Sequence, residues 1–420
     1  MVDQQEQVKK NIMDIIYSSG VRNTARSILT SNSFVTTIGG YAGTGKTHLI
    51  GQIRKEIKKN FFRMAVGFCT FTGKASSVLA SKLYAHEAIL YNDFVGTIHR
   101  MIYKPKTKYD KKLKAHVIVG WTLIDSGSLP YDLIVIDEAS MVSKDIWNDL
   151  LSFGVSIIAV GDHGQLGPVG DDLFNLMQKP DHTLTQIRRQ AKDSEIIKLS
   201  ILARERGYIP DNTIFSRDPP VLKLPWNSPI CQNIWKKLVF DQDTMALCGL
   251  NMTRNYINRM VRKELKYNKV EPYPGERVVC LKNNRELGIM NGQTGTVYFL
   301  MPEKYKNTYR LTFQLDGSGD FTEAFVDGQT FDQVTYTIFT DRDRTKKLYK
   351  YAVKNSLGGV NNFDYGYCIS VHKSQGSEWK RIVLFEQRNR YQDDEQYSRW
   401  LYTAVTRAKE RLLIITNFHF

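Results

Sequence analysis

The chain has 420 residues, 42% of them hydrophobic and 24% charged, which is enough to bury a sizeable core without staples and leaves room for two or three domains. Its formal net charge of +15 calls for an anionic partner, nucleic acid before membrane lipid. Five scattered cysteines without a C-x-x-C pair argue against a zinc site and suit a reducing compartment, and no apolar run reaches the roughly 18 residues of a membrane span. The N-terminus, MVDQQEQVKKNIMDII, is too polar for a signal peptide, so a soluble, cytoplasmic protein with no membrane contact is expected.

In chain order, NIMDIIYSS reads as a helix, followed by a polar stretch to Ser33. FVTTIGG is a short β-branched strand entering a glycine loop, and HLIGQIRKEIKKN has the spacing of an amphipathic helix. RMAVGFCTF reads as a buried strand, GKASSVLASKLY as a helix, and YDLIVIDEAS and VSIIAVGD as two more strands. Strands alternating with helices predict a parallel α/β sheet. The pattern breaks between His99 and Trp121, where Arg100 to Lys114 holds seven basic residues and one acid, Asp110. Two short strands around a basic turn, a projecting β-hairpin over about 101–120, are expected there.

A second α/β block runs from about Gln186 to Val297. From Tyr298 to about Tyr351 apolar and polar residues alternate between glycine turns, the texture of a small inserted β-barrel. The α/β pattern resumes with FDYGYCISVHKSQG, RIVLFEQ and an expected helix QYSRWLYTAVTRAKE, and closes on the strand RLLIITNF.

The chemistry concentrates in four places. Gly40-Tyr41-Ala42-Gly43-Thr44-Gly45-Lys46-Thr47 matches G-x-x-x-x-G-K-[ST] between a strand and a helix. Such a loop turns backbone N–H groups onto phosphate oxygens at a helix N-terminus; Lys46 would reach the β- and γ-phosphates of ATP and Thr47 would ligate Mg²⁺. Asp137 and Glu138 end an apolar strand, where a parallel sheet delivers them to the loop's edge; Asp137 suits the Mg²⁺ shell and Glu138 the activation of the attacking water. Gln165, in GDHGQL after the next strand, is placed to sense the γ-phosphate. Arg189 and Arg407, far down the chain, are candidates for stabilising the charge of phosphoryl transfer.

Together these segments resemble a superfamily 1B DNA helicase of the RecD/Dda-like branch. GYAGTGKT resembles motif I, FTGKASSVL motif Ia, GTIHRMI motif Ib, IDEAS motif II, GDHGQLGPV motif III, LTQIRRQ motif IV, VHKSQGSEW motif V and LYTAVTRAKE motif VI, in order over most of the chain. The resemblance implies two RecA-like domains, residues 1–185 and 186–297 with 356–420, and a small β-barrel over 298–355 inserted into the second. It implies ATP between the domains, 5′→3′ movement on single-stranded DNA, and a hairpin pin that splits the duplex.

Residue by residue, the resemblance makes Lys46, Glu138, Gln165, Arg189 and Arg407 catalytic, and Thr47 and Asp137 metal residues. Gly40, Ala42, Gly43, Thr44, Gly45, Gly376 and Glu378 would line the nucleotide. Phe71, Thr72, Lys74, Thr97, His99, Ser370 and His372 would lie along the DNA strand, Pro105 at the pin base, and Tyr109, Leu113 or His116 would be its wedge. The adenine-reading glutamine falls among Gln4, Gln5 and Gln7, with Gln7 favoured.

Two departures stand out: Phe71 occupies the usual proline position of motif Ia, and Ser370 replaces a threonine in motif V. The implied partners are single-stranded DNA and single/double-strand junctions, with single-strand-binding or replication proteins as further candidates and a monomer as the working state. A translocase that displaces proteins with little unwinding, or an RNA helicase of the same superfamily, are the alternative readings.

Overall fold

The computed structural model describes residues 3–19, 33–71, 73–110, 115–167, 174–187, 194–211, 221–232, 234, 236, 238, 243–282, 284, 291–316, 321–333, 342–355 and 359–418. The chain divides into two compact units, residues 1–106 with 120–197, and 198–420 with 107–119.

The first unit contains α1 (Gln4–Ser18), β1 (Val35–Gly40), α2 (Lys46–Asn60), β2 (Val66–Thr70), α3 (Gly73–Ala85), β3 (Phe94–Thr97), α4 (Ile98–Ile102), β6 (Leu133–Asp137), α5 (Lys144–Leu151), β7 (Ser156–Gly161) and β8 (His182–Leu184), while β4 (Tyr103–Asp110) and β5 (Ala115–Leu123) are divided, their residues 107–110 and 115–119 falling in the second unit. Six strands form one parallel sheet in the order β3-β2-β6-β7-β1-β8. All residues of β6 and β7 are buried, because helices cover both faces and the strands need no polar side.

On one face α1, α2 and α3 pack through Val8, Ile12, Ile50, Ile53, Leu79 and Leu83; on the other, α4 and α5 pack through Ile98, Ile102, Trp147 and Leu150. α1 follows the expected apolar spacing, burying Val8, Ile12 and Ile16, and is capped by Asp3, which accepts from the Gln5 N–H. The strand β3 is not legible in the sequence: it is four residues long, and its pairing with β2 holds it rather than any local pattern.

β4 and β5 form a separate two-stranded sheet, as expected of the basic segment. It begins at Tyr103, since IHRMI before it is helical, with Thr97 accepting from the Arg100 N–H as its N-cap. Pro105, Tyr109 and His116 lie on these strands, and Leu113 falls outside the described residues.

The second unit contains β9 (Val221–Pro225), β10 (Thr244–Cys248), a helix at Asn251–Glu264, β11 (Arg277–Cys280), β12 (Thr294–Pro302), β13 (Thr308–Leu315), β14 (Phe321–Asp327), a helix at Arg342–Lys354, β15 (Val360–Asn361), β16 (Phe363–Tyr365), β17 (Cys368–Ser370), β18 (Trp379–Phe385), a helix at Asp394–Val405 and β19 (Ala408–Thr416). Five strands form a parallel sheet, β17-β10-β18-β19-β9. The alternating segment is a six-stranded sheet ordered β15-β14-β13-β12-β11-β16. Its described pairings make an open row from Arg277 to Tyr365, wider than the 298–355 barrel expected, and it carries the helix Arg342–Lys354 as well.

This sheet shares one core with the parallel sheet: Val278, Leu311, Phe313 and Phe363 cluster with Ala246, Cys248, Val383 and Phe385. The five cysteines are buried thiols. The expected helix through Glu410 stops at Val405, because from Ala408 onward the chain is claimed by β19, which pairs with both β18 and β9.

A buried ion pair ties the helix Asn251–Glu264 to the inserted sheet. Arg262 Nε donates to Glu276 Oε1 at 2.6 Å, Nη1 donates to the Tyr365 hydroxyl at 2.8 Å, and the guanidinium sits 4.0 Å from the Tyr365 ring centroid. Burial pushes the Glu276 carboxyl above its ordinary value while Arg262 pulls it down. Removing one partner strands the other charge, so Glu276→Ala is expected to cost about 3–5 kcal/mol, and Arg262→Met with Glu276→Leu together to recover most of that. Urea unfolding followed by far-UV circular dichroism checks both; an unchanged midpoint for Glu276→Ala would show the pair to be structurally idle.

Candidate active site

Parallel strands end on a common edge, so the loops after β1, β2, β3, β6 and β7 share one rim. Register places Thr70 beside both Asp137 and Thr97, and Gly39 beside Gly161. The glycine loop leaves β1 at Gly40. Gly43 and Gly45 adopt φ of +79° and +82°, a left-handed backbone that L side chains resist. A Cβ on Gly40 would lie 2.7 Å from the Thr44 hydroxyl, so this turn also needs glycine for space. Ala42 lies between them, and Thr44, buried, closes the loop by donating its hydroxyl to the Tyr41 carbonyl at 2.8 Å. α2 then begins at Lys46 with its free N–H groups facing the loop.

Lys46 Nζ lies across the loop, donating to the Gly40 carbonyl at 2.7 Å and the Tyr41 carbonyl at 3.2 Å, with Asp162 at 3.8 Å. Thr47 Oγ1 is 3.2 Å from Asp137 Oδ2. Burial pushes the Asp137 carboxyl above its ordinary value; Lys46, the Glu138 N–H and the Thr47 hydroxyl pull it down. A buried carboxylate and a hydroxyl this close fit a hard divalent cation such as Mg²⁺. Among the described residues no cluster of three His, Cys, Asp or Glu exists that could cage a metal, so phosphates and water would complete its shell. Glu138 holds φ +57°, ψ +37°, a left-handed backbone at a residue with a Cβ. Such strain costs on the order of 1–3 kcal/mol and persists where the surrounding fold imposes it.

Gln165 is buried and donates to Asp162 Oδ2 at 3.3 Å; its Oε1 has no hydrogen-bond partner among the described residues. Asp162 itself is fully buried and sits between Gln165 and Lys46, also accepting from the Gly164 N–H. Sequence reading passed over it, although an acid closing the apolar run VSIIAVG carries the same signal as Asp137. The Tyr41 ring lies 4.0 Å from that of His163, joining the loop to this turn.

The N-terminal glutamine differs from expectation. Gln7 points along its own helix, donating to Asn11 at the surface. Gln5 is the buried one, and its Nε2 donates to the carbonyls of Thr44 and Gly45. The helix phase decides this, because Gln5 shares a face with Val8, Ile12 and Ile16 whereas Gln7 does not. Gln4 instead donates to the Thr183 carbonyl of β8 and accepts from the Thr185 N–H just after it.

On the same rim, Phe71 follows β2 and Thr97 ends β3, with the Phe71 ring edge-on to His99 at 6.4 Å. The side chain of Lys74, on α3, and the whole of Thr72 lie outside the described residues, as does Arg189.

The second unit brings together the residues expected of motifs V and VI. Arg407 is buried just beyond the helix Asp394–Val405, donating to the Thr403 carbonyl at 3.1 Å, the Ser377 carbonyl at 3.2 Å and the Thr406 hydroxyl at 3.2 Å. Among the described residues no carboxylate pairs with it. Gly376, at φ +69°, and Glu378, paired with Lys409 at 3.2 Å, flank the Ser377 carbonyl. Ser370 ends β17 and leads into a short turn bearing the exposed His372.

The chain matches the model of an AAA domain over residues 17–210 and that of the UvrD-like helicase C-terminal domain over residues 365–415. It is 25% identical over 407 residues to the ATP-dependent RecD2 DNA helicase of Deinococcus radiodurans, covering 91% of this chain and 47% of that protein. It is 20% identical over 498 residues to the RecBCD enzyme subunit RecD of Buchnera aphidicola, covering 97% of this chain and 75% of that one. It thus spans about half the length of the Deinococcus relative. The Bacteroides Pif1 helicase solved with ADP-AlF3 and single-stranded DNA superposes with a TM-score of 0.51 at 18% identity, over 98% of this chain and 92% of that one. A structure of Pif1 helicases at forked double-stranded DNA gives 0.51 at 16%, over 100% and 92%. At such identities the likeness speaks for the fold.

With the side chain's shape retained but its basic carboxylate replaced by an amide, Glu138→Gln is expected to bind nucleotide and to hydrolyse it about 10²–10⁴ times more slowly. Fluorescent-nucleotide binding alongside phosphate release measures both; wild-type turnover would remove Glu138 from the chemistry.

Proposed function

We propose that this chain, which matches models of an AAA domain and of a UvrD-like helicase C-terminal domain, is a superfamily 1B helicase of the RecD/Pif1 type that hydrolyses ATP to move along single-stranded DNA and part duplexes at junctions. The observation that carries the reading is the convergence of Lys46, Thr47, Asp137, Glu138, Asp162 and Gln165 on one sheet edge. Phe71, Thr97 and His99 lie along that edge, where a strand of DNA would couple to the nucleotide.

In this reading the loop N–H groups and Lys46 hold the β- and γ-phosphates. Thr47 and Asp137 would hold Mg²⁺, which supplies neutralising charge on the phosphate oxygens. Glu138 takes a proton from water as its oxygen attacks the γ-phosphorus, Gln165 orients that water, and the bond to the bridging oxygen breaks to release ADP. Gln5, anchored to the loop backbone, replaces Gln7 as the residue placed to read adenine. Arg407 is a buried cation with no carboxylate paired to it among the described residues; it and Arg189 are the proposed stabilisers of the transferring phosphoryl group. Gly376 and Glu378 would line the nucleotide, and Thr72, Lys74, Ser370 and His372 the strand, with the β4–β5 hairpin as the pin.

The direction, 5′→3′, is inherited from the resemblance, as are the junction substrate, single-strand-binding or replication proteins as partners and a monomeric state; a cytoplasmic place of action is proposed from the scattered cysteines. No helix among the described residues is long and apolar enough to cross a membrane.

Two measurements test this. Partial duplexes with a 5′ or a 3′ single-stranded tail should be unwound from the 5′ tail; preference for the 3′ tail overturns the assigned direction. Arg407→Ala should keep ATP binding and lose most DNA-stimulated hydrolysis, by about 10³-fold or more. Unimpaired hydrolysis would confine Arg407 to a structural role.

A further inference from the structure

The inserted sheet buries one face in the core of its unit, through Leu311, Phe313, Ala324 and Val326. Side chains alternate along a strand, so Arg310, Thr312 and Gln314 of β13 and Phe321, Glu323 and Phe325 of β14 point to the other face. At one end of that outer face the helix Arg342–Lys354 covers Phe325 with Leu348, Tyr351 and Ala352. At the other end aromatic rings stand in solvent: Phe299 is 65% exposed and Phe321 60%. A β-bulge between Val297 and Phe299 turns Tyr298 outward as well, 40% exposed, its ring edge-on to Phe321 at 4.7 Å and its hydroxyl on Gln314.

The helix beside these rings is basic. Lys346, Lys347, Lys350 and Lys354 are exposed, and none is ion-paired among the described residues. Lys346, Lys350 and Lys354 follow i, i+4 spacing, a ridge about 12 Å long. Two acids beside it, Glu303 and Glu323, pair with Arg310 at 2.8 Å and 3.6 Å. From Phe325 under the helix to Phe321 is four residues of strand, about 13 Å. Exposed cations on the solvent side of that helix and exposed rings on the strands beside it therefore lie on the same outer side of the inserted sheet.

We propose that this face is a second contact for single-stranded nucleic acid: the lysine ridge takes phosphates while Tyr298, Phe299 and Phe321 stack bases. Protruding rings rather than a walled pocket favour stacking over capture of a peptide side chain, and stacking on rings of this kind tolerates any sequence, as a motor substrate requires. The proposal rests on the reading of the chain as a single-strand motor and adds to it a grip outside the motor residues named above, one that would lengthen the occupied strand and slow its release.

The test uses the full chain and oligo(dT) of two lengths, one filling a single contact and one spanning both, with binding read by fluorescence anisotropy across a salt series. Phe299→Ala with Phe321→Ala is expected to weaken the long strand roughly tenfold. Replacing Lys346, Lys350 and Lys354 by Ala should flatten its log–log salt slope by about 2, near 0.7 per lysine. Short-strand affinity, ATPase stimulated by the short strand and the thermal melt should not change, since all these side chains are exposed. Unchanged long-strand binding, or equal loss at both lengths, overturns the proposal. So does a variant that keeps the long strand but loses an Asp/Glu-rich peptide ending in Phe, which would make the face a dock for acidic protein tails. A wild-type ATPase indifferent to DNA would instead sink the motor reading itself.

Discussion

A carboxylate buried at the end of an apolar strand is the constraint on which the first unit depends. Asp137 is buried, and burial pushes its carboxyl above its ordinary value. Lys46, the Thr47 hydroxyl and the Glu138 N–H pull it down, and they belong to the glycine loop, the first turn of α2 and the turn after β6. These reach one point only because β1 and β6 run parallel in one sheet and end on the same rim. The left-handed backbone at Glu138 follows from the same requirement: the chain must turn sharply at once after Asp137, and the strain is met by the packing of Ala139 and Val142 beneath it.

Asp162 extends the arrangement to a second strand. It closes β7 as Asp137 closes β6, and it links Lys46 to Gln165. Lys46 has Asp162 at 3.8 Å rather than a tight partner, and its bonds to the Gly40 and Tyr41 carbonyls are ones that phosphate oxygens would replace. The second unit uses buried arginines in two opposed ways. Arg262 is matched by Glu276 and covered by Tyr365, which makes it a strut between helix and inserted sheet. Arg407 is bonded to carbonyls and a hydroxyl, which orient the guanidinium and, among the described residues, bring no carboxylate to it. The first arrangement gives rigidity; the second keeps an electrostatic resource.

Much of this was legible in residue order. The strand–glycine loop–helix pattern at 34–60, the acids closing LIVIDEAS and the hairpin after IHRMI need only local rules: β-branched runs, glycine at left-handed positions and alternation in short strands. Where local rules failed, a partner elsewhere decided the outcome. TRAKE has helical propensity but becomes turn and strand, since β18 and β9 offer ladders on both sides of β19. The alternating segment has the texture of a self-contained barrel, yet β11 and β16, outside its expected limits, join the sheet, and its core merges with that of the parallel strands.

The sequence by itself determined the chemistry on offer, namely a phosphate loop, strand-end carboxylates, distant arginines and a basic excess, because each depends on residue type at short spacing. Only the tertiary structure decided which of three nearby glutamines bonds the loop, that Asp162 lies 3.8 Å from Lys46, and that Arg407 is buried with no carboxylate paired to it among the described residues. Those outcomes turn on helix phase, strand register and burial, which arise when segments far apart in the chain exclude water together.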